Sequence, residues 1–127
     1  HIILENEGLS NAESTIDDII EGADNVIAPD ILICLNDTIT EVAYRIVEDR
    51  GAEGLVQIVG GSISDTIIVG IERGGIAFTI TPNPEDTGRK AFQELERYFR
   101  HGVANYASTV ELQVITAENV EAAEVAS

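Results

Sequence analysis

The stretch that decides the fold is PDILICLNDTITEVAYRIVEDRG, residues 29–51. Residues 31–35 form an unbroken apolar run after a proline, which predicts a short strand covered on both faces in a parallel sheet. After the polar pair Asn36 and Asp37, apolar residues recur at helical spacing, which predicts an amphipathic helix over residues 38–49. The stretch is therefore interpreted as a strand, a polar corner and a helix.

The same alternation of strands and helices continues on both sides of this stretch. Further strands are predicted at residues 2–4, 55–59, 76–81 and 109–115, and Gly60 with Gly61 is expected to break the second of these. Because strands alternate with helices, we predict an α/β fold with a doubly wound parallel sheet and right-handed crossovers. The expected unit is a Rossmann-like or flavodoxin-like lobe with three αβα layers.

Helix starts and stops are marked by capping residues. The residues expected to cap helix N-termini are Ser10 or Asn11, Ser64 or Asp65, Asn83, and Thr116 before a last helical turn. The best-defined helix is predicted from Pro84 to His101, with Gly102 as its stop. Its apolar face includes Gly88, which indicates either close packing against another backbone or a tolerated glycine.

Composition restricts the functional classes. The chain has 127 residues, 44% of them hydrophobic, which is enough for one modest core. Seven basic against 23 acidic residues give a formal charge of −16, which repels nucleic acid and anionic lipid. The single cysteine, Cys34, lies within an apolar run and is expected to be an inert buried thiol. No spacing indicates a metal, a cofactor or an enzymatic nucleophile, so we expect a non-enzymatic protein without cofactors.

Ligands of open parallel sheets bind beyond the carboxyl ends of the strands. Asn36, Asp37 and Ser62 follow two predicted strands and are therefore candidate ligand-binding residues. An Asx residue before a helix is ordinarily a cap, and Thr38 with Glu41 matches a capping box. The pattern thus favours Asp37 as a cap, leaves Asn36 open between cap and ligand contact, and allows Ser62 to be only a turn residue.

Four segments together resemble a known family. They are LICLND at 32–37, AYRIVEDRGAEGLVQIVGGS at 43–62, IERGGIAFTITPNPEDTGRKAFQELERYF at 71–99 and VITAENV at 114–120. In this order and spacing they resemble the C-terminal part of type 1 periplasmic solute-binding proteins, of the sugar-binding, LacI-related group. The likeness spans residues 10–120.

The resemblance implies roles for particular residues. In that family two α/β lobes close around a ligand, and the position of Asn36 commonly hydrogen-bonds the sugar. The family usually has an aromatic residue and an aspartate where this chain has Gly61 and Ser62. A glutamine is frequent where this chain has Pro82, with Asn83 beside it as the candidate contact. These departures leave open a less common sugar, another small polar molecule or a degenerate site.

The resemblance also implies an architecture and partners. Residues 1–82 match part of the C-terminal lobe, 83–120 match the crossover helix and returning strand, and 121–127 are expected to be a disordered tail. We expect a fragment of an extracytoplasmic protein whose signal is not present in this chain. It would bind a small polar ligand, with a sugar as the expected class, and serve an ABC transporter or a membrane sensor; the alternative is the effector-binding domain of a LacI-type repressor. The exposed helix face at 92–99 is expected to be buried by rearrangement or in a homodimer.

Overall fold

A computed structural model describes residues 9–22, 29–105 and 107–122 of the chain. Its helices and strands follow one another in the order predicted for an α/β lobe. In chain order they are α1 (Leu9–Glu21), β1 (Ile31–Ile33), α2 (Asp37–Asp49), β2 (Gln57–Gly61), α3 (Asp65–Glu72), β3 (Ile76–Pro82), α4 (Pro84–His101) and β4 (Leu112–Ile115). The predicted strand at residues 2–4 lies outside the described residues.

The four strands form one open sheet in the order β1-β2-β3-β4. The first three strands are parallel, and β4 runs antiparallel to β3, with Thr79 opposite Ile115. The predicted α/β class is confirmed, and the parallel strands bring their carboxyl ends to one edge of the sheet. We call this the carboxyl edge; it lies beyond Ile33, Gly61 and Pro82.

The core lies between one face of the sheet and helices α2 and α3. Ile58 of β2 and Ile76 of β3 are almost fully buried, as are Val47 of α2 and Ile67 of α3. Their burial supplies the main stabilising free energy, because removing a large aliphatic side chain from water contributes about 1.5–3 kcal/mol. Helix α1 packs on α2, and Arg50, the C-cap residue of α2, forms ion pairs with Asp17 and Glu21 of α1.

The opposite face of the sheet is uncovered among the described residues. The side chains that point there from β1 are Ile31 and Ile33, and Ile33 is 71% exposed. Leu112 and Val114 of β4 are exposed on the same face. The prediction that residues 31–35 are covered on both faces is therefore wrong for the described part of the chain.

Helix α4 extends away from the core. Asp86 is its one buried residue, while Phe92, Leu95 and Phe99 are exposed, the last by 77%. The expected uncovered apolar face is present on this helix. Nothing among the described residues lies within 4 Å of where a Cβ on Gly88 would sit, so this glycine does not mark close packing there.

Asp86 connects α4 to the rest of the fold. Its carboxylate contacts Lys90 Nζ at 2.8 Å and Arg89 on the same helix. It also accepts a hydrogen bond of 2.9 Å from the backbone N–H of Glu111, immediately before β4. The Lys90 contact and the Glu111 hydrogen bond lower the pKa of Asp86, against the opposing effect of burial.

Several element boundaries differ from the sequence predictions. Gly60 and Gly61 do not break β2 but are its last two residues, whereas Leu55 lies before the strand. Strand β4 begins at Leu112 rather than at residue 109. Glycine is needed at position 60 because neighbouring side chains approach closely: a Cβ there would lie 2.8 Å from Thr79 Oγ1 and 2.9 Å from Thr40 Cγ2. The strand therefore continues where bulkier residues would not fit.

Helix ends largely follow the predicted caps. Ser64 caps α3, Asn83 caps α4, and Gly102 ends α4 in the left-handed conformation, as predicted. Helix α1 already includes Leu9, so a start at Ser10 or Asn11 is wrong. Residues 121–122 continue a helical turn after Thr116, and the rest of the predicted disordered tail lies outside the described residues.

Candidate functional site

The carboxyl edge brings together the loops that follow β1, β2 and β3. The backbone after β1 lies directly against the end of β2: a Cβ on Gly61 would sit 2.5 Å from the carbonyl carbon of Leu35 and 2.7 Å from the carbonyl oxygen of Cys34. Asn36 and Ser62, the next residues along each chain segment, thus belong to adjacent loops. Asn83 follows β3, one strand further along the sheet.

Asn36 is the N-cap of α2. Its Oδ1 accepts a 2.8 Å hydrogen bond from the backbone N–H of Ile39, which satisfies one of the free donors at the helix start. Since the side-chain oxygen is engaged in the cap, the Nδ2 group is the part of the amide that remains for another partner. No partner for Nδ2 is recorded among the described residues, and the residue is half-buried.

Asp37 is the first residue of α2, not its cap. Its Oδ1 accepts from the backbone N–H of Thr38 at 2.7 Å, and the side chain is exposed. The capping box predicted for Thr38 and Glu41 is also wrong, because Asn36 occupies the cap position. Glu41 instead accepts a 2.5 Å hydrogen bond from the hydroxyl of Ser64, which joins α2 to the start of α3.

Ser62 has a left-handed backbone with a φ of 77°. A residue with a Cβ is strained there by about 1–2 kcal/mol, and such strain is often found where a loop is shaped for function. Its N–H donates to the carbonyl of Ile80 at 2.8 Å. The Ser62 hydroxyl has no hydrogen-bond partner recorded in the described part of the chain and can both donate and accept.

Asn83 repeats the arrangement of Asn36 at the start of α4. Its Oδ1 accepts from the backbone N–H groups of Glu85 and Asp86, at 3.1 and 3.2 Å. Its own N–H donates to the carbonyl of Glu111. The side-chain oxygen is thereby used in capping, and the Nδ2 group is left as the donor. Asn36 and Asn83 thus keep side-chain donors outside their caps, whereas Asp37 has a carboxylate, which accepts.

Two buried threonines at this edge were missed by the sequence analysis. Thr40 and Thr79 are both fully buried, and their hydroxyls contact the loops that carry Asn36 and Ser62. The sequence pattern contains an indication that Thr40 bonds the Asn36 corner. Thr40 is a polar residue within the apolar stripe of α2, four positions after Asn36, where a threonine hydroxyl can bond the carbonyl one turn back. Thr79 looked like any β-branched strand residue.

The hydroxyl and amide side chains at the carboxyl edge can form hydrogen bonds. Burial raises the pKa of the Cys34 thiol to about 11, and a hydrogen bond with Thr40 opposes this rise. The thiol is therefore protonated and weakly nucleophilic at neutral pH. Within residues 9–22, 29–105 and 107–122, no group of three His, Cys, Asp or Glu side chains could hold a metal ion. In the same part of the chain, no helix has the length and apolar character needed to cross a membrane.

Comparisons with known proteins concern the fold. No protein-family model matches the chain, and no curated protein sequence matches it. Among solved structures, the Caulobacter myo-inositol binding protein bound to myo-inositol has a TM-score of 0.73 at 22% identity. A periplasmic solute binding protein of an ABC transporter from Actinobacillus succinogenes, with bound D-allose, has a TM-score of 0.75 at 20% identity. A XylFII–LytSN complex has a TM-score of 0.72 at 20% identity.

These similarities span most of this chain but less than half of each neighbour. The match covers 92% of this chain and 40% of the myo-inositol binding protein, and the same shares of the D-allose-bound protein. It covers 94% of this chain and 42% of the matched chain in the XylFII–LytSN complex. The chain therefore has the fold of one lobe of type 1 periplasmic binding proteins.

Proposed function

We propose that the chain is part of a non-enzymatic solute-binding protein that binds a small polar ligand, a sugar or cyclic polyol, at the carboxyl edge. The whole protein would act outside the cytoplasm and serve an ABC transporter or a membrane sensor. The fold supports this proposal, because the neighbours described above are solved with myo-inositol and D-allose. The LacI-related, sugar-binding group remains the family proposed from the resemblance.

The observation that carries the proposal is the arrangement of Asn36. Its Oδ1 is held in the helix cap, so its Nδ2 donors are oriented by the same hydrogen bond and need no ordering on binding. Ser62 presents a hydroxyl from the adjacent loop, and Asn83 a second amide. Neutral donors and acceptors of this kind suit vicinal hydroxyls, where each net hydrogen bond contributes about 1 kcal/mol. We therefore propose Asn36, Asp37, Ser62 and Asn83 as the ligand contacts of this lobe.

A repressor is the alternative function on the same lobe. Its effector-binding domain would use the same edge, and only the output would differ. A basic helix-turn-helix segment joined to this lobe would identify the repressor, whereas a signal peptide or a lipoprotein cysteine would identify the binding protein. The neighbours favour the binding protein, since two of the structures named above are described as binding proteins.

The variant Asn36→Asp separates ligand binding from helix capping. Aspartate caps helices about as well as asparagine, so we expect the free energy of unfolding to change by less than about 0.5 kcal/mol. The amide donor is lost and replaced by a charged acceptor, so affinity for the ligand should fall at least about tenfold, or about 1.4 kcal/mol. The measurement is a thermal-shift screen of the full-length protein against myo-inositol, D-allose, other sugars and non-sugar polar metabolites, followed by titration of the best ligand.

The control for this experiment is Asn105→Asp, which adds the same charge in an exposed loop after α4. It should leave ligand affinity unchanged. A ligand raises the melting temperature only by binding the folded state more tightly than the unfolded state. A shift with another metabolite and none with any sugar would remove the sugar assignment. Equal affinity of the wild type and Asn36→Asp would remove Asn36 from the site.

A homodimer is the state that we propose for this chain when it is produced alone. Helix α4 has four basic and four acidic residues, whereas the other residues of the chain have three basic and nineteen acidic. The exposed apolar face of α4, at Phe92, Leu95 and Phe99, is thus the part of the surface that an acidic second copy would repel least. Its exposure and that of the uncovered sheet face support burial between two copies.

The homodimer is tested by the variant Phe99→Glu. We expect the wild-type chain to have the mass of a dimer in size-exclusion chromatography with light scattering, and Phe99→Glu to have the mass of a monomer. The reason is that burying an unpaired carboxylate in the dimer interface would destabilise the dimer by roughly several kcal/mol. Leu55→Glu is the matched control, because Leu55 is 75% exposed before β2, away from α4. A monodisperse monomeric wild type would contradict the homodimer.

A further inference from the structure

We propose that Thr40 is a positioning residue of the ligand site: its buried hydroxyl holds the Asn36 corner and the Gly61–Ser62 turn in one fixed relation. This inference rests on the proposed function, because it concerns how the same edge is shaped for a ligand. Thr40 does not itself face the ligand; it acts through the two loops that do.

The Thr40 hydroxyl forms hydrogen bonds with two segments of the carboxyl edge. It donates to the carbonyl oxygen of Asn36 at 2.6 Å and accepts from the backbone N–H of Gly61 at 3.2 Å. A hydroxyl has one donor and two acceptor positions, so these two hydrogen bonds use its only donor and one of its acceptor positions. Thr40 is 0% exposed, so water cannot replace it in any of them.

The close packing around Gly60 places the side chains of Thr40 and Thr79 side by side at the end of β2. Thr40 and Thr79 approach the strand from the helix-covered face, and a Cβ on Gly60 would lie less than 3 Å from both side chains. Thr79 then donates its hydroxyl to the carbonyl oxygen of Ser62. The strained Ser62 backbone is thereby held from both sides, through Gly61 N–H by Thr40 and through its own carbonyl by Thr79.

Holding these loops matters for affinity because a ligand must contact both of them. The Asn36 amide is attached to the start of α2, and the Ser62 hydroxyl is attached to the end of β2. If the two loops move independently, part of the binding free energy is lost in ordering them. A fixed spacing between the two groups also selects ligands whose hydroxyls have the matching spacing.

The experiment compares Thr40→Val, Thr40→Ser and Thr40→Ala in the full-length protein, with the core variant Ile71→Val as a control for general destabilisation. Myo-inositol is the first probe and D-allose the second, measured by calorimetric titration. We expect Thr40→Val and Thr40→Ala to weaken binding about tenfold or more, and Thr40→Ser to retain most of the affinity, since it restores the hydroxyl. Ile71→Val should lower the melting temperature without changing affinity. If Thr40→Val does not fold, the comparison of serine with alanine isolates the hydroxyl.

A second readout needs no ligand and separates this inference from the proposed function. In amide NMR spectra of the ligand-free protein, Thr40→Val should displace the side-chain amide signals of Asn36 and the backbone signals of Gly61 and Ser62, and Thr40→Ser should restore them. Unchanged signals in Thr40→Val would overturn the positioning role, as would unchanged affinity. A wild type that binds no sugar or polyol would instead overturn the proposed function, and the NMR signals would then decide alone whether Thr40 couples the two loops.

Discussion

Gly61→Ala is expected to lower the free energy of unfolding by about 1–3 kcal/mol, and more if the backbone cannot move. The added Cβ would lie 2.5–2.8 Å from three backbone atoms of Cys34 and Leu35. Backbone atoms cannot rotate away as a side chain would, so β1 and β2 would have to separate at the carboxyl edge. Urea denaturation followed by circular dichroism measures this loss.

Gly88→Ala is the matched control for that substitution. Gly88 lies within α4, and a Cβ there meets no atom within 4 Å among the described residues. Alanine in an exposed helix is more stable than glycine by roughly 0.5–1 kcal/mol. We therefore expect opposite signs for the two substitutions. Equal effects would show that the close approach at Gly61 is wrong, and a destabilising Gly88→Ala would show that α4 packs closely against another backbone.

The same contact limits which ligands the edge can hold. The family that the sequence resembles usually has an aromatic residue at the position of Gly61, and here the backbone of Cys34 and Leu35, directly after β1, occupies the space where its Cβ would begin. A variant that introduces an aromatic residue at position 61 is therefore expected to disrupt the edge rather than to create a stacking contact for a sugar ring. Under the proposed function, ligand selection would then come from the polar groups of Asn36, Asp37, Ser62 and Asn83.

Asp86→Asn is expected to detach α4 from β4. Asp86 is 5% exposed and is the buried anchor of a helix that is otherwise exposed. An amide keeps the shape of the side chain but loses the negative charge that attracts Lys90 and Arg89 and strengthens the Glu111 hydrogen bond. Hydrogen exchange should show loss of protection at the Glu111 amide and through α4, while β1 and β2 keep theirs.

In the wild type, the protection of α4 against hydrogen exchange should depend on pH through the charge of Asp86. The pKa of Asp86 is lowered from its ordinary value of 3.8, so the charged form is favoured in the folded state. The stabilisation is fully present from about one pH unit above 3.8 and is lost as the pH falls through 3.8 towards the lower folded-state pKa. Asp86→Asn should remove this acid-side change in α4 protection.

Glu96→Ala provides the comparison for Asp86. Glu96 forms an exposed i,i+4 pair with Arg100 on the same helix, and such pairs contribute about 0.3–0.5 kcal/mol. We expect no change in the protection of Glu111. If Glu96→Ala and Asp86→Asn had equal effects on that amide, the link between α4 and β4 would not depend on Asp86.

Local chemistry explains which predictions from sequence are confirmed. The N-cap residues Ser64 and Asn83 and the stop at Gly102 depend on the chain within one helical turn, so the sequence was sufficient to locate them. The cap of α2 was assigned to the wrong residue, because Asn36 and Asp37 are both good caps and only the backbone conformation chooses between them. Gly60 and Gly61 were taken for strand breakers, since the atoms that require glycine there come from distant segments.

The sequence by itself determined the order of strands and helices, the large net negative charge and the polar corner at Asn36, because each depends on periodicity, charge or neighbouring residues. Only the tertiary structure decided that Asn36 retains its amide donor, that Ser62 is held in a strained conformation, and that Thr40 joins their two loops. The features of Ser62 and Thr40 depend on contacts between residues 17 to 21 positions apart, such as Thr40 with Gly61, whereas the Asn36 cap depends on a backbone conformation that the sequence pattern does not specify. A linear pattern has no information on such contacts, since packing rather than propensity brings those atoms together.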